Sequence, residues 1–166
     1  MTPEIFQDIY AYNFWADRQI WKCLDLLTDE QFNQVSEGHA SLRDEAVHTM
    51  GVEHWWLVFI ATGKLWFLEP DEFPTRESIR TMWNRIEENV LHFLSTISDQ
   101  DLQREVRPEF WAEGRKPIPV WQALFQVANH STDHRAQMLA RVQQLGGTTF
   151  EQDYLGYLVE KQQAAG

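Results

Sequence analysis

The fold class of this chain is decided by residues 120–145, VWQALFQVANHSTDHRAQMLARVQQL. Apolar side chains and two histidines recur there at steps of three or four residues, which is the period of an α-helix with one buried face. The members of this stripe are Val120, Leu124, Val127, His130, His134, Met138, Val142 and Leu145. The spacing predicts a long helix over 119–146 that turns both histidines toward the interior.

The histidine pair suggests a metal site. His130 and His134 are four residues apart, so on a helix their Cβ atoms lie roughly 5–6 Å from each other and both rings can bind one ion. Two other interpretations remain open. The rings could be satisfied by polar neighbours such as Tyr12, Asn13 or Gln137, or the helix could be rotated so that they reach solvent.

Helical periodicity continues through most of the chain, which predicts an all-α bundle in one domain spanning residues 1–166. The other long helices are predicted at 3–27, 41–62 and 75–97, and a shorter C-terminal helix at 151–162. Capped turns are expected at 28–32 and 98–102. The segments 64–74 and 104–119 lose the helical period, and the second is a loop with room for a small hairpin.

Composition narrows the classes of partner. The chain has 14 Lys and Arg against 25 Asp and Glu, a formal charge of −11. Such a surface repels phosphate backbones and anionic lipid, so we expect no nucleic acid and no membrane, and favour metal cations and neutral or cationic small molecules. The single cysteine, Cys23, excludes an intrachain disulfide and fits a reducing compartment. With no signal-like N-terminus and no long apolar run, the cytoplasm is the expected location.

A third metal ligand is expected from another helix, because sites in bundles combine side chains of facing helices. His39 falls in a predicted loop and is expected to be exposed, while His92 flanks the apolar stripe of its helix. His48 and His54 each lie on an apolar stripe of the helix at 41–62. Periodicity does not choose between these two.

Four motifs carry a resemblance to a known family. They are Tyr12 Asn13 Phe14 Trp15 Ala16 Asp17, then His48 followed by Glu53 and Trp56, then Asn129 His130 Ser131 Thr132 Asp133 His134 Arg135 Ala136 Gln137, and finally Asp153 Tyr154 Leu155 Gly156 Tyr157. With these motifs the chain resembles the DinB and YfiT-like family of metal-binding four-helix proteins over nearly its whole length. The resemblance implies an up-down-down-up four-helix bundle with an additional short C-terminal helix. It also implies that the metal ligands are His48, His130 and His134.

The chain departs from the family motifs at three positions. Asp17 stands where the family usually has Asn, Asp133 replaces the first of two adjacent histidines, and Ala136 replaces Gly. None of these changes removes an implied ligand. Asp133 lies about 100° around the helix from His134, so it is expected to be a supporting or surface carboxylate rather than a ligand.

Three imidazoles would leave a coordination position open for water or substrate, as in catalytic zinc sites. The resemblance therefore implies one divalent ion per chain, with zinc or nickel favoured and iron, cobalt or copper also suited to imidazole ligands. It further implies a metal-dependent enzyme that transfers a low-molecular-weight thiol to a small-molecule electrophile, as thiol-dependent S-transferases and a mycothiol-using isomerase among the relatives do. One alternative is a metal-binding stress-response, sensor or interaction protein without turnover, and another is a helical scaffold whose histidines bind nothing.

Further residues and a partner follow from the same interpretation. Glu53 and Asp17 are candidates for orienting a histidine or accepting a proton. Candidates for a pocket wall are Trp15, Trp55, Trp56, Phe59 and Trp111. Relatives often dimerise through helix faces, so a homodimer is expected.

Overall fold

A computed structural model describes residues 1–36, 38 and 40–164 of the chain. Four long helices dominate it, and short helices and a two-stranded hairpin lie between them. In chain order the helices are α1 (Pro3–Leu24), α2 (Asp29–Asn33), α3 (Leu42–Thr62), α4 (Arg76–Thr96), α5 (Asp99–Gln103), α6 (Val120–Gln144) and α7 (Tyr154–Ala164). The strands are β1 (Glu105–Val106) and β2 (Ile118–Pro119), which pair antiparallel.

The helix boundaries follow local sequence signals. Thr28 Oγ1 accepts the backbone N–H of Gln31 and the Gln31 side chain accepts that of Thr28, so the predicted capping box of α2 is present. Ser41 caps α3 in the same manner by accepting the N–H of Asp44. At the other end of α3, Gly63 adopts a left-handed conformation with φ of 73°, which stops the helix.

Helix α1 ends three residues before its predicted limit of 27. The Arg76 guanidinium at the start of α4 donates to the carbonyls of Leu24 at 2.6 Å and Leu27 at 3.1 Å. These bonds satisfy carbonyls that a longer helix would have used internally. The early end is therefore a tertiary effect, because its cause lies 50 residues further along the chain.

The helix directions establish the up-down-down-up topology. Gln7 of α1 donates to the Leu94 carbonyl near the end of α4, so these two helices run antiparallel. Tyr10 of α1 donates to the Leu124 carbonyl near the start of α6, so this pair runs parallel. α3 packs antiparallel to α6 and parallel to α4. The predicted all-α bundle with its short C-terminal helix is confirmed.

Because α3 and α4 are parallel, the chain must return along the bundle between them. Residues 63–75 make this crossover on the outer surface of α3 and include a single 3₁₀ turn, Pro70–Glu72. The Arg43 guanidinium, near the start of α3, donates to the carbonyls of Pro70 and Phe73. These bonds hold the end of the crossover against α3, where it forms one wall of a cleft.

One apolar core runs through the bundle. Its largest fully buried apolar side chains include Trp21, Trp83, Tyr10, Phe6 and Phe14. Within the described part of the chain, no helix is both long and apolar enough to cross a bilayer.

Candidate metal centre

Three histidines from two helices converge at one point of the α3–α6 contact. One ring nitrogen each of His48, His130 and His134 lies within 4.8 Å of the other two. The Nε2 atoms of His48 and His130 are 3.2 Å apart. The antiparallel packing of α3 on α6 produces this arrangement, since it places His48 opposite the helical turn that separates His130 from His134.

A carboxylate that the sequence analysis missed supports the third ring. The Nδ1 atom of His134 is hydrogen-bonded to Glu45 of α3. This contact leaves Nε2 of His134 to face the other two rings. A histidine that binds a metal commonly has its second nitrogen held by a carboxylate in this manner. Glu45 is three residues before His48, so the two side chains lie on the same face of α3.

The surroundings of the cluster favour neutral rings. Burial, followed by the proximity of His134 and His48, lowers the pKa of His130 from 6.5 to about 4. Burial and the neighbouring His134 also lower the pKa of His48. Neutral imidazole is the form that binds metal ions, so these two rings are ready to bind at neutral pH.

The remaining histidines lie elsewhere. His54 is buried and packs edge-on against Trp66, with the ring centroids 5.2 Å apart. His92 is exposed on α4. The prediction that His39 is an exposed loop residue concerns a position outside the described residues. Asp133 is exposed and accepts a hydrogen bond from Gln137, as expected of a surface carboxylate.

The two acidic residues suggested as histidine partners instead form a separate buried cluster. Arg135 Nη1 donates at 2.7 Å to Oδ1 of both Asn13 and Asp17. Glu53 Oε1 accepts from Asn13 at 2.7 Å and from Ser131 at 3.1 Å. Among the described residues, neither Asp17 nor Glu53 bonds to a histidine, so neither of them orients one of the three rings.

This cluster contains two carboxyl groups but one cation. Asp17 lies in the 2.7 Å ion pair with Arg135. Burial, and then the charge of Asp17, raise the pKa of Glu53 from 4.5 to about 8. Glu53 is therefore protonated at neutral pH, and the buried cluster carries no net charge. The sequence feature that could have predicted this buried cluster is Arg135, a charged residue on the inner side of α6.

The polar neighbours suggested as alternative partners of the histidines form hydrogen bonds elsewhere. The Tyr12 hydroxyl donates to the carbonyl of Gln152 at 2.6 Å, and Asn13 belongs to the buried cluster. Gln137 bonds to Asp133. Each of these three side chains has a partner other than the three histidines.

The cluster opens onto a cleft of about 460 Å³ between α3, the crossover and Phe110. The exposed ring of His48 lines this cleft, and so does Trp55. The other four residues expected in a pocket wall do not line it. Trp15 packs against Phe150 and Tyr157 and donates to Glu160. Trp56 stacks on Trp55 and packs edge-on against both Phe59 and Trp111. Phe67 and Phe110, missed in the sequence, complete the apolar wall.

The sequence profile of the DinB family matches residues 1–164. The chain belongs to the DinB family. A DinB relative, Protein DinB from Bacillus subtilis (strain 168), is 25% identical over 160 residues, which cover 90% of this chain and 91% of that protein.

Solved structures show the same DinB fold. A DinB-like protein from Bacillus cereus ATCC 10987 superposes with a TM-score of 0.62 at 26% identity, covering 90% of this chain and 97% of that one. YfiT from Bacillus subtilis, described as a probable metal-dependent hydrolase with an unusual four-helix bundle topology, superposes with a TM-score of 0.56 at 14% identity. That match covers 87% of this chain and 85% of YfiT.

The residues of this DinB-family chain fit a divalent ion. Three imidazole nitrogens already lie close together, two of the rings have lowered pKa values, and Glu45 fixes the third. The Nδ1 atom of His130 is buried without a hydrogen-bond partner among the described residues. The identity of the ion, the thiol and the homodimer remain predictions from the family resemblance.

Proposed function

We propose that His48, His130 and His134 bind one divalent metal ion and that this chain is a metal-dependent enzyme acting on a small molecule. The observation that carries the proposal is the convergence of three ring nitrogens within 4.8 Å beside an open cleft. A closed structural site would have four protein ligands and no access. Here three rings converge and one of them, His48, is exposed to the cleft.

A divalent ion bound there would supply Lewis acidity, which lowers the pKa of a water or a thiol bound to the same ion. The residues of the chain supply the rest. His48 and His130 present neutral nitrogens, and Glu45 fixes the orientation of His134. The cleft beside His48 receives the substrate.

For the reaction we propose transfer of a low-molecular-weight thiol to an electrophilic carbon: a C–S bond forms, the bond from that carbon to its leaving group breaks, the leaving group departs with the bonding electron pair, and the thiol proton is released to water. Glu45, the carboxylate in contact with the cluster, is hydrogen-bonded through Oε1 to Nδ1 of His134, so we assign it to orienting that ring and not to the role of general base. A thiol loses its proton readily when bound to a metal, so it has less need of such a base than water has. Hydrolysis is the second candidate, supported by the description of YfiT as a probable metal-dependent hydrolase.

Metal content tests the first part of the proposal. Protein purified without a histidine tag is analysed for bound metals, and we expect about one ion per chain. His130→Ala and His134→Ala should lose it. His92→Ala removes an exposed histidine outside the cluster and is the matched control. If the control and the cluster variants hold equal amounts of metal, the assignment of the ligands is wrong.

Turnover tests the second part. Metal-loaded protein is incubated with a panel of thiols and a reactive electrophile, and with ester substrates in the absence of thiol. Thiol-dependent product that disappears in His130→Ala supports the transferase, whereas ester cleavage without thiol supports the hydrolase. Stoichiometric metal with no turnover in either assay would instead indicate the non-catalytic metal-binding alternative.

A further inference from the structure

The cleft beside His48 has a composition that selects among ligands. Eight of its eleven lining residues are apolar or glycine, and the three exceptions are His48 and the two carboxylates Asp44 and Glu69. No lysine or arginine is among the described residues that line it. Away from the proposed ion, a pocket of this kind favours an apolar group over an anion, because its lining residues offer no cation to pair with a negative charge.

Three aromatic rings form the far wall of this cleft. Trp55, Phe67 and Phe110 pack against one another with ring centroids 5.6 to 6.0 Å apart. Phe67 is 47% exposed and Phe110 is 55% exposed, although both are large apolar side chains. Rings that stay in contact with water in a concave site gain free energy when an apolar ligand covers them.

A glycine, which has no side chain to fill the space, lies in the floor of the cleft. Gly51 lies one turn after His48 on α3, in the middle of the helix, where glycine is less stable than alanine by about 1 kcal/mol. A Cβ atom at this position would lie 3.8 Å from Cβ of Leu68, which is ordinary van der Waals contact. Packing therefore does not require glycine at position 51. The lack of a side chain there leaves space in the cleft along which a ligand can reach His48.

The two carboxylates give the cleft its charge preference. Asp44 lies one turn before His48 on α3, and Glu69 lies opposite on the crossover. Asp44 is paired at 3.3 Å with the neighbouring Arg43, whose guanidinium also donates to the carbonyls of Pro70 and Phe73, so Glu69 is the carboxylate of the cleft that has no ion pair among the described residues. The negative charge of the whole chain, −11, acts in the same direction.

We infer that this cleft binds the non-reacting part of the substrate, and that this part is a flat apolar group, such as an aryl group, that carries no negative charge. The inference rests on the proposed function, since it places the reacting end of the substrate at an ion held by His48, His130 and His134. According to this inference, the residues of α3 and the crossover that line the cleft determine which substrates bind.

Three hydroxamic acids test the inference by calorimetric titration of the metal-loaded protein. A hydroxamate binds divalent ions through its two oxygens, so acetohydroxamate reports the ion alone. Benzohydroxamate adds an aryl group, and 4-carboxybenzohydroxamate adds a negative charge to that group. We expect benzohydroxamate to bind about tenfold more tightly than acetohydroxamate and the carboxylated compound to bind more weakly than benzohydroxamate.

Matched variants locate the aryl preference. Phe67→Ala should reduce the ratio of benzohydroxamate to acetohydroxamate affinity about threefold or more, and leave acetohydroxamate binding unchanged. Phe125→Ala is the control, because Phe125 is a phenylalanine of similar exposure, 51%, that does not line the cleft. The double variant Asp44→Asn, Glu69→Gln should reduce the difference in binding affinity between benzohydroxamate and 4-carboxybenzohydroxamate.

The outcomes separate this inference from the proposed function. A protein that binds none of the three compounds and holds no metal overturns the proposed function and the inference with it. Equal affinity for acetohydroxamate and benzohydroxamate overturns the inference alone. An aryl preference that is the same in Phe67→Ala as in Phe125→Ala would also overturn it.

Discussion

At the scale of single residues, Glu45 fixes the orientation of one of the three proposed ligands. Its carboxylate is hydrogen-bonded to Nδ1 of His134, which directs the other nitrogen of that ring toward His48 and His130. Without a negative partner, the ring would be free to turn and would be a weaker electron donor. The contact therefore acts on the metal site, although Glu45 itself is not among the three proposed ligands.

Glu45→Gln should weaken metal binding about 10–100-fold, because glutamine keeps the size of the side chain but not its charge. Competition against a chromophoric chelator measures the affinity. Asp133→Asn, which removes an exposed carboxylate on α6 next to His134, is the control and should change the affinity much less. Equal losses in both variants would mean that general electrostatics, rather than the contact with His134, sets the affinity.

The sequence predicted some residues of the candidate metal site but not others. Periodicity placed His130 and His134 on one face of a helix, but it left His48 and His54 equivalent, because both lie on apolar stripes of α3. The family resemblance selected His48. Glu45 escaped notice because an acidic residue in the first turn of a helix is common for capping reasons alone. Its contact depends on the register between α3 and α6, which no local pattern encodes.

At the scale of helices and turns, sequence periodicity predicted the long helices to within three residues at each end. The largest difference, at the end of α1, arises from Arg76 of α4, whose bonds to the Leu24 and Leu27 carbonyls are tertiary. The order of helices around the bundle came from the resemblance and not from periodicity. A stripe of apolar residues shows which face is buried but not which helix covers it.

The turn after α6 offers a test of packing. A Cβ atom at Gly147 would lie 2.7 Å from Cγ1 of Val142 and 3.0 Å from Cδ2 of Leu27. Gly147→Ala should therefore lower the free energy of unfolding by about 1–3 kcal/mol. Gly156→Ala is the matched control, since nothing lies within 4 Å of a Cβ atom there, and alanine should stabilise α7 slightly. Urea denaturation of both variants measures the difference. A Gly147→Ala protein as stable as the wild type would show that the turn adjusts freely.

At the scale of the whole molecule, the buried cluster of Asn13, Asp17, Glu53, Ser131 and Arg135 joins three of the long helices. Its residues come from α1, α3 and α6. One ion pair and one protonated carboxyl group keep it neutral, which limits the cost of burying charged groups. The cluster therefore connects stability to pH.

Glu53 should make the folded protein less stable as the pH rises. In the unfolded chain this carboxyl ionises around its ordinary pKa of 4.5, whereas in the folded protein it keeps its proton until about pH 8. Between these values the folded state binds more protons, so the free energy of unfolding falls with increasing pH, on the order of 3 kcal/mol by pH 7. Glu53→Gln should flatten this fall, and Glu88→Gln, an exposed control on α4, should not. Urea titrations at pH 5, 6, 7 and 8 measure it. Parallel curves for wild type and Glu53→Gln would refute the protonated state.

Removal of the metal should destabilise the entire bundle, because the proposed ligands join α3 to α6. An ion at 100 times its Kd adds about 2.7 kcal/mol, which for a domain of this size raises Tm by roughly 5–10 °C. Calorimetry with and without a chelator should show this shift in the wild type and in His92→Ala, but not in His134→Ala. A chelator that leaves the wild-type Tm unchanged would contradict binding across the two helices.

The two parts of the proposed metal centre lie far apart along the chain, which determines when the site can form during translation. His48 and His130 are separated by 82 positions, and the crossover and α4 lie between them. During translation, α3 leaves the ribosome with a single donor ring, and the trio is complete only when residue 134 has emerged. An ion held by all three rings could therefore bind only after residue 134 has emerged.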